Sequence, residues 1–224
     1  MLDLDLDMRT PPSFGDRLCS IPDALPADLF ASLREDILKL TERDRTCIPT
    51  HKKGATIGYD VLRNIAPRVT AIYHNPDYQN YLSRIVDVPL CPTPFSDNSS
   101  LSVLLYDRPG DHIGWHFDHN FYRGRHFTVL IGIENTNHDG TALSAARLLV
   151  KKRGGGQIEL QTPPNTLILF EGAKILHKVT PLLENERRVM LSMTYCTDPT
   201  NSRVQEVARK IKDTAFFGVR ALWN

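Results

Sequence analysis

Two different apolar rhythms divide the chain near residue 100. Before it, Leu29, Leu33, Ile37 and Leu40 recur at steps of four and three, with Arg34, Glu35 and Lys39 on the other side. That stripe predicts an amphipathic helix, opened by Pro26, whose missing N–H does no harm in a first turn. Shorter helical patterns follow at 61–65 and 69–73. Asn75-Pro76 is a cap followed by a first-turn proline, and it predicts a helix through Val86 with Tyr78, Leu82 and Ile85 on one face. Pro89, Pro92 and Pro94 end it. Residues 46–53 read as a polar loop, and everything up to about residue 20 as an arm.

Beyond residue 100 the step falls to two. Short apolar runs at 101–106, 126–133, 147–150, 157–160, 166–170, 177–180 and 188–195 are separated by turn chemistry such as Pro109-Gly110, Asp139-Gly140, Gly154–Gly156 and Glu184-Asn185. Many short strands at this spacing predict an antiparallel sandwich or jelly roll, not a parallel sheet. A last helix is expected at 204–212, with Val204, Val207 and Ile211 as its apolar stripe. The predicted class is mainly β with flanking helices. One domain over 21–224 follows the arm of residues 1–20: a helical buttress (21–95), a jelly-roll core (96–200), and a C-terminal helix and tail (201–224).

Composition narrows the classes. At 224 residues, 41% hydrophobic and 24% charged, the chain is an ordinary globular domain. A net charge of +1 gives no support to a partner read through phosphate charge, so no nucleic acid is expected. Cys19, Cys47, Cys91 and Cys196 form no CxxC pair, which argues against a zinc ribbon or a disulfide framework and for reduced thiols. The acidic start, MLDLDLDMRT, lacks the order of a signal peptide, and no apolar run reaches membrane-spanning length. A cytoplasmic protein without a membrane partner is expected.

Candidate chemistry centres on His116-Phe117-Asp118, between two apolar strands. In an extended segment alternate side chains share a face, so His116 and Asp118 point together and Phe117 points away. An imidazole beside a carboxylate is half a metal site, and a further histidine would complete a two-His-one-carboxylate facial set with open positions for Fe(II). His177, fifty-nine residues after Asp118 at the start of a strand, is the candidate. Downstream, Arg188 heads the last strand and shares a face with Ser192 and Thr194, whereas Arg187 falls with Val189 and Leu191. A guanidinium is a planar clamp for a carboxylate, and its polar company makes Arg188 the inward candidate, with Arg187 the runner-up. Tyr106, ending the first strand, either reaches the same carboxylate or fills the core.

The segments LLYDRPGDHIGWHFD, GRHFTVLIGIEN and NTLILFEGAKILHKVTPLLENERRVMLSMTY together resemble the Fe(II)/2-oxoglutarate-dependent dioxygenases, closest in texture to the prolyl-hydroxylase-like branch. The resemblance covers roughly residues 101–197. It implies a double-stranded β-helix core, iron held by His116, Asp118 and His177, and 2-oxoglutarate held by Arg188 with help from Tyr106. Fe(II), 2-oxoglutarate and O2 would be consumed or used in oxidising an unactivated C–H bond, with release of succinate and CO2. Related halogenases lack the carboxylate so that chloride can take its place; a retained Asp118 implies hydroxylation, or desaturation or ring formation.

For the substrate, the donor-rich loop 119–126 supplies Asn120 and Arg125 as first candidates, with His119 and Trp115 behind them. So many cationic and amide donors point to a small anionic or zwitterionic substrate such as an amino acid; a peptide or protein side chain is the alternative. Where many relatives carry a Gly-Gly pair leading into the strand after the insertion, this chain reads LSAARL, and Arg147 there either faces the substrate or makes an outward ion pair. The repair branch that demethylates nucleic acids carries a second arginine further along the last strand, where this chain has Met193-Thr194-Tyr195-Cys196. Outside the class stand a zinc hydrolase using the same three ligands and a metal-binding module without turnover.

Overall fold

A computed structural model describes residues 12–41, 46–47, 52–201 and 203–217. Along the chain run β1 (Leu18–Ile21), α1 (Ala27–Thr41), β2 (Thr46–Cys47), β3 (Lys52–Lys53), β4 (Ala55–Ile57), α2 (Tyr59–Ile65), α3 (Pro67–Tyr73), α4 (Pro76–Val86) and β5 (Cys91–Pro92). Then come β6 (Leu101–Tyr106), β7 (His112–His116), β8 (His126–Thr136), β9 (Leu148–Lys151), β10 (Gln157–Leu160), β11 (Leu167–Phe170), a 3-10 turn (Gly172–Lys174), β12 (His177–Val179), β13 (Arg187–Cys196) and α5 (Arg203–Phe217).

Two sheets result. The larger runs β1-β11-β8-β13-β6-β4-β2, with β5 beside β13; the smaller runs β10-β9-β12-β7-β3. Every pairing is antiparallel. From β6 to β13 the chain visits larger, smaller, larger, smaller, smaller, larger, smaller, larger.

The period of two sorts each long strand into two cores. Val103 and Leu105 of β6, Val129 and Ile131 of β8 and Val189, Leu191 and Met193 of β13 face the helices, where they bury Leu33, Ile37, Leu62, Val69, Tyr73, Tyr78 and Leu82. The alternating set, including Tyr106, Leu130, Ile168, Phe170 and Met190, faces the smaller sheet and packs on Leu148, Val150 and Val179. Leucine-sized truncations in such cores cost about 2–5 kcal/mol. The helices therefore stiffen one face of the larger sheet while the other lines the space between the sheets. Gly132 keeps β8 in phase with β13 where the register slips between Val189 and Met190: a Cβ there would meet the Pro163 carbonyl oxygen.

Local signals explain several boundaries. Asn75 Oδ1 accepts from the N–H groups of Asp77 (2.8 Å) and Tyr78 (3.0 Å), capping α4, which ends at Asp87 in the left-handed region (φ 55°). Pro26 precedes α1 and accepts from Phe30 N–H through its carbonyl (2.9 Å).

Three expectations are corrected. The segment at the end of the expected arm, Leu18–Ile21, is an edge strand on β11, and Phe14 packs on Phe127 with ring centroids 6.0 Å apart. Four residues between a polar stretch and a proline are too few for an alternation to show. The expected polar loop contributes β2, paired with β4, and β3, paired with β7. Finally α5 does not bury the stripe expected of it: Val207 and Ile211 are 58% and 67% exposed, whereas Arg209 is 2% exposed. Arg209 donates to the Ser96 carbonyl oxygen and pairs with Glu206, so α5 docks through its polar side. The side chain of Val204 and residues 1–11 lie outside what is described, and among the described residues no helix is long and apolar enough to cross a membrane.

Candidate active site

The space between the sheets contains a cavity of about 190 Å³, and three groups of side chains line it. The first is built by strand register. β12 pairs with β7 so that His177 lies opposite His116, and their rings approach to 4.1 Å. Each Nδ1 sits 2.9 Å from a backbone carbonyl, Gly114 for His116 and Ile175 for His177. A carbonyl only accepts, so the proton is on Nδ1 in both rings and Nε2 carries the lone pair a metal would take. Asp118 follows β7, its N–H donating to the Gly172 carbonyl (3.1 Å). Its Oδ1 lies 3.5 Å from His116 Nε2 and 3.6 Å from His177 Nε2. One ligand atom from each residue falls within 4.8 Å of the others. A divalent ion with bonds of about 2.1 Å holds neighbouring ligands about 3 Å apart, close to the two Oδ1–Nε2 distances. Burial would raise the Asp118 pKa, but His116, His177 and Thr128 together hold it well below the usual carboxylate range. Burial lowers the pKa of His177. An anionic carboxylate with two neutral imidazoles is the state a metal ion requires.

The second group lies on neighbouring strands of the larger sheet, where Arg188 of β13 pairs with Tyr106 of β6. Arg188 is 1% exposed, its guanidinium 5.2 Å from the centroid of the Tyr106 ring and its Nε donating to Thr162 Oγ1 (3.2 Å). Among the described residues no carboxylate pairs with it, and Arg188 Nη2 and Tyr106 Oη are buried without a hydrogen-bond partner. Burial pushes the Arg188 pKa down and lifts that of Tyr106 to about 12. A buried cation with no carboxylate partner is costly unless a ligand brings an anion. The neighbouring Arg187 points elsewhere, to Glu134 (3.1 Å) and Thr41 Oγ1 (2.7 Å).

The third group comes from loops, α5 and positions on β8 and β13. Asp97, 4% exposed, accepts from Lys212 Nζ (3.0 Å) and Tyr122 Oη (2.9 Å), and Lys212 also donates to Ser99 Oγ (2.8 Å). Burial opposes ionisation of Asp97, but Lys212, the Ser99 N–H and Tyr122 outweigh it and lower its pKa. His126 is 5% exposed, lines the cavity, and leaves Nδ1 without a partner; burial lowers its pKa. His119, stacked on Phe121 at 5.7 Å, lines the cavity too, with Ser192 and Thr194.

A match to a family model places this arrangement. Residues 14–216 match the model described as HalD, Halogenase D. The chain belongs to the Halogenase D family. No curated protein sequence matches it. Its fold is shared with Fe(II)/2-oxoglutarate oxygenases, prolyl hydroxylases among them. A Pseudomonas putida prolyl-4-hydroxylase aligns at TM-score 0.58 and 13% identity, over 80% of this chain and 91% of that one. The non-haem α-ketoglutarate-dependent epimerase SnoN from nogalamycin biosynthesis aligns at 0.64 and 12%, over 80% and 77%. A 2OG-Fe(II) oxygenase-family oxidoreductase from Burkholderia pseudomallei aligns at 0.60 and 13%, over 84% and 87%. Of the groups lining the cavity, His116, Asp118 and His177 have the donor set and spacing that could hold a metal ion, and Arg188 is a buried cation with no carboxylate partner among the described residues.

The substrate candidates of the loop separate. His119 reaches the cavity. Asn120 is spent on the loop itself, donating to the Gly124 carbonyl (2.8 Å) and accepting from Tyr122 N–H (2.9 Å). Arg125 pairs with the buried Glu171 (3.2 Å) and lies over Phe127. Trp115, 38% exposed, lies under Lys151 and Lys178. Arg147 pairs with Glu159 (3.3 Å) and donates to the Ser144 and Ala146 carbonyls. None of the four lines the cavity. His126, which does, closes the donor-rich loop 119–126 but was not singled out within it; Asp97 and Lys212, which also do, carried no sequence signal, the first in an irregular segment and the second on a helix whose apolar stripe suggested the opposite orientation.

Proposed function

We propose that this protein is an Fe(II)- and 2-oxoglutarate-dependent hydroxylase of a small zwitterionic substrate such as a free amino acid. The observation that carries the proposal is the buried, unpaired Arg188 sharing one small cavity with the His116–Asp118–His177 cluster. A zinc hydrolase or an inactive metal-binding module has no use for such a cation. The alternation of β6–β13 between the sheets supports reading the core as a double-stranded β-helix.

Ferrous iron and 2-oxoglutarate together supply dioxygen activation and oxidation of an unreactive C–H bond: R–H, 2-oxoglutarate and O2 give R–OH, succinate and CO2. The chain's own residues do the remainder. His116 and His177 offer Nε2 because their Nδ1–H groups are held by carbonyls. Arg188 orients the far carboxylate of the co-substrate. Asp97, Lys212, His126 and His119 form a polar end with both charge signs, suited to an ammonium and a carboxylate on one molecule. A cavity of about 190 Å³ takes a small molecule whole, whereas a peptide would enter it by a single side chain.

The family model is described as a halogenase, and Asp118 separates the two outcomes. A carboxylate in that position occupies the place a halide would need, so the reading is hydroxylation. Three free thiols among the described residues and the use of ferrous iron fit the cytoplasm.

The test is direct. Purified protein is incubated with Fe(II), 2-oxoglutarate, oxygen and chloride against a panel of free amino acids. We expect substrate-stimulated succinate release and a product heavier by one oxygen atom. A chlorinated product, or succinate release indifferent to every amino acid, would overturn the reading.

A further inference from the structure

We infer that Thr128 and Gly172 are positioning residues that hold Asp118 as a one-oxygen metal ligand, Thr128 by tying Oδ2 and Gly172 by making room for it. The inference rests on the metal-site reading above. Asp118 presents its two oxygens to different neighbours. Oδ1 faces both histidines at 3.5 and 3.6 Å. Oδ2 accepts a hydrogen bond from Thr128 Oγ1 at 2.5 Å, a short contact of the kind an ionised acceptor makes. Thr128 belongs to β8 in the larger sheet, whereas Asp118 follows β7 of the smaller one, so the bond crosses the space between the sheets. It fixes the plane of the carboxylate from the side opposite the histidines.

Gly172 closes the third side. Its carbonyl accepts the Asp118 N–H (3.1 Å). A Cβ built on Gly172 would clash with Asp118 Oδ2 and fall 2.7 Å from Thr128 Oγ1 and 2.8 Å from Asp118 Cβ. No φ in the left-handed region requires glycine here; the requirement is space. Any side chain would drive the carboxylate off Thr128.

Geometry then dictates coordination. A carboxylate free to rotate could offer both oxygens to a metal and take two positions. With Oδ2 engaged, only Oδ1 would be offered to a metal, leaving more of its coordination sphere open to a co-substrate. Outer-sphere bonds of this kind orient ligands and are worth about tenfold to a hundredfold in metal affinity.

The experiment measures Fe(II) binding to the apoprotein anaerobically by competition with a chromophoric chelator, together with the apoprotein melting temperature and the visible spectrum of the Co(II) form. Thr128→Val removes the hydroxyl at nearly constant volume. We expect Fe(II) affinity to fall about tenfold to a hundredfold, an altered Co(II) spectrum, and recovery in Thr128→Ser. Gly172→Ala should weaken binding at least as much, while Gly154→Ala, where an added Cβ meets nothing within 4 Å, should not. A purely structural role for Thr128 would lower the melting temperature and leave the Co(II) spectrum unchanged, and that outcome overturns the inference. So does wild-type Fe(II) affinity in Thr128→Val. His177→Ala separates the two levels. If it loses metal while Thr128→Val does not, the positioning role fails alone; if it retains metal, the site reading fails first.

Discussion

Two sets of cavity-lining groups are built by different means. At the metal and co-substrate end every side chain hangs from a strand or follows one directly: His116 and His177 face each other in register, and Arg188 lies opposite Tyr106. At the other end the groups come from a loop (Asp97, Ser99), the segment after β7 (His119), the start of β8 (His126) and α5 (Lys212). Strand pairing fixes position through backbone hydrogen bonds behind each side chain. The second end depends on side-chain contacts, chiefly the Lys212–Asp97 pair at 3.0 Å. A fold that keeps the first end constant can vary the second by changing loops and one helix.

Mutations at the metal end should have the largest effects. Asp118→Ala, which removes a ligand itself and not merely its support, is expected to cost more than the roughly hundredfold limit of outer-sphere changes in Fe(II) affinity and to abolish iron-supported succinate formation. Full activity in that variant would sink the metal assignment.

Next comes the co-substrate anchor. Truncating one member of a buried charge pair costs about 2–5 kcal/mol, so Arg188→Met should raise the 2-oxoglutarate KM by about thirtyfold or more, measured as succinate release.

At the variable end, Lys212→Met leaves Asp97 buried and without its cation. Breaking a buried pair costs about 3–5 kcal/mol; Lys212 is only partly buried, which reduces this to about 1–3 kcal/mol. A lower melting temperature is expected, with a higher KM for the amino substrate and an unchanged KM for 2-oxoglutarate. A shift in the 2-oxoglutarate KM alone would show that the ends are not separate. The smallest effect on activity belongs to Arg187→Ala, whose partly buried side chain pairs with Glu134 and Thr41 away from the cavity; activity should stay within about twofold.

The same division governs what could be read before the structure was known. His116, Asp118, Arg188 and Tyr106 lie on or next to strands of period two, so the side of the sheet each faces follows from counting. Arg188 is inward and Arg187 outward because Ser192 and Thr194 lie on one face and Val189 and Leu191 on the other. No such rule covers loop 119–126: Asn120 and Arg125 look like ligands for a substrate, yet the loop and Glu171 absorb them. Nor does helical periodicity reveal that α5 docks by Arg209 and Lys212 while Val207 and Ile211 stay exposed. Buried cations held by a distant carbonyl or carboxylate leave no local trace. Short strands such as Leu18–Ile21 are equally silent, because four residues joined to a distant edge look like the polar arm before them.

The most direct test of the central claim is the affinity of the Fe(II)-loaded protein for 2-oxoglutarate, measured anaerobically in the wild type, Arg188→Met and Arg187→Ala. The account predicts tight, metal-dependent binding in the wild type, the same in Arg187→Ala, and at least about thirtyfold weaker binding in Arg188→Met. Equal affinities in the two variants, or wild-type binding indifferent to iron, would contradict it.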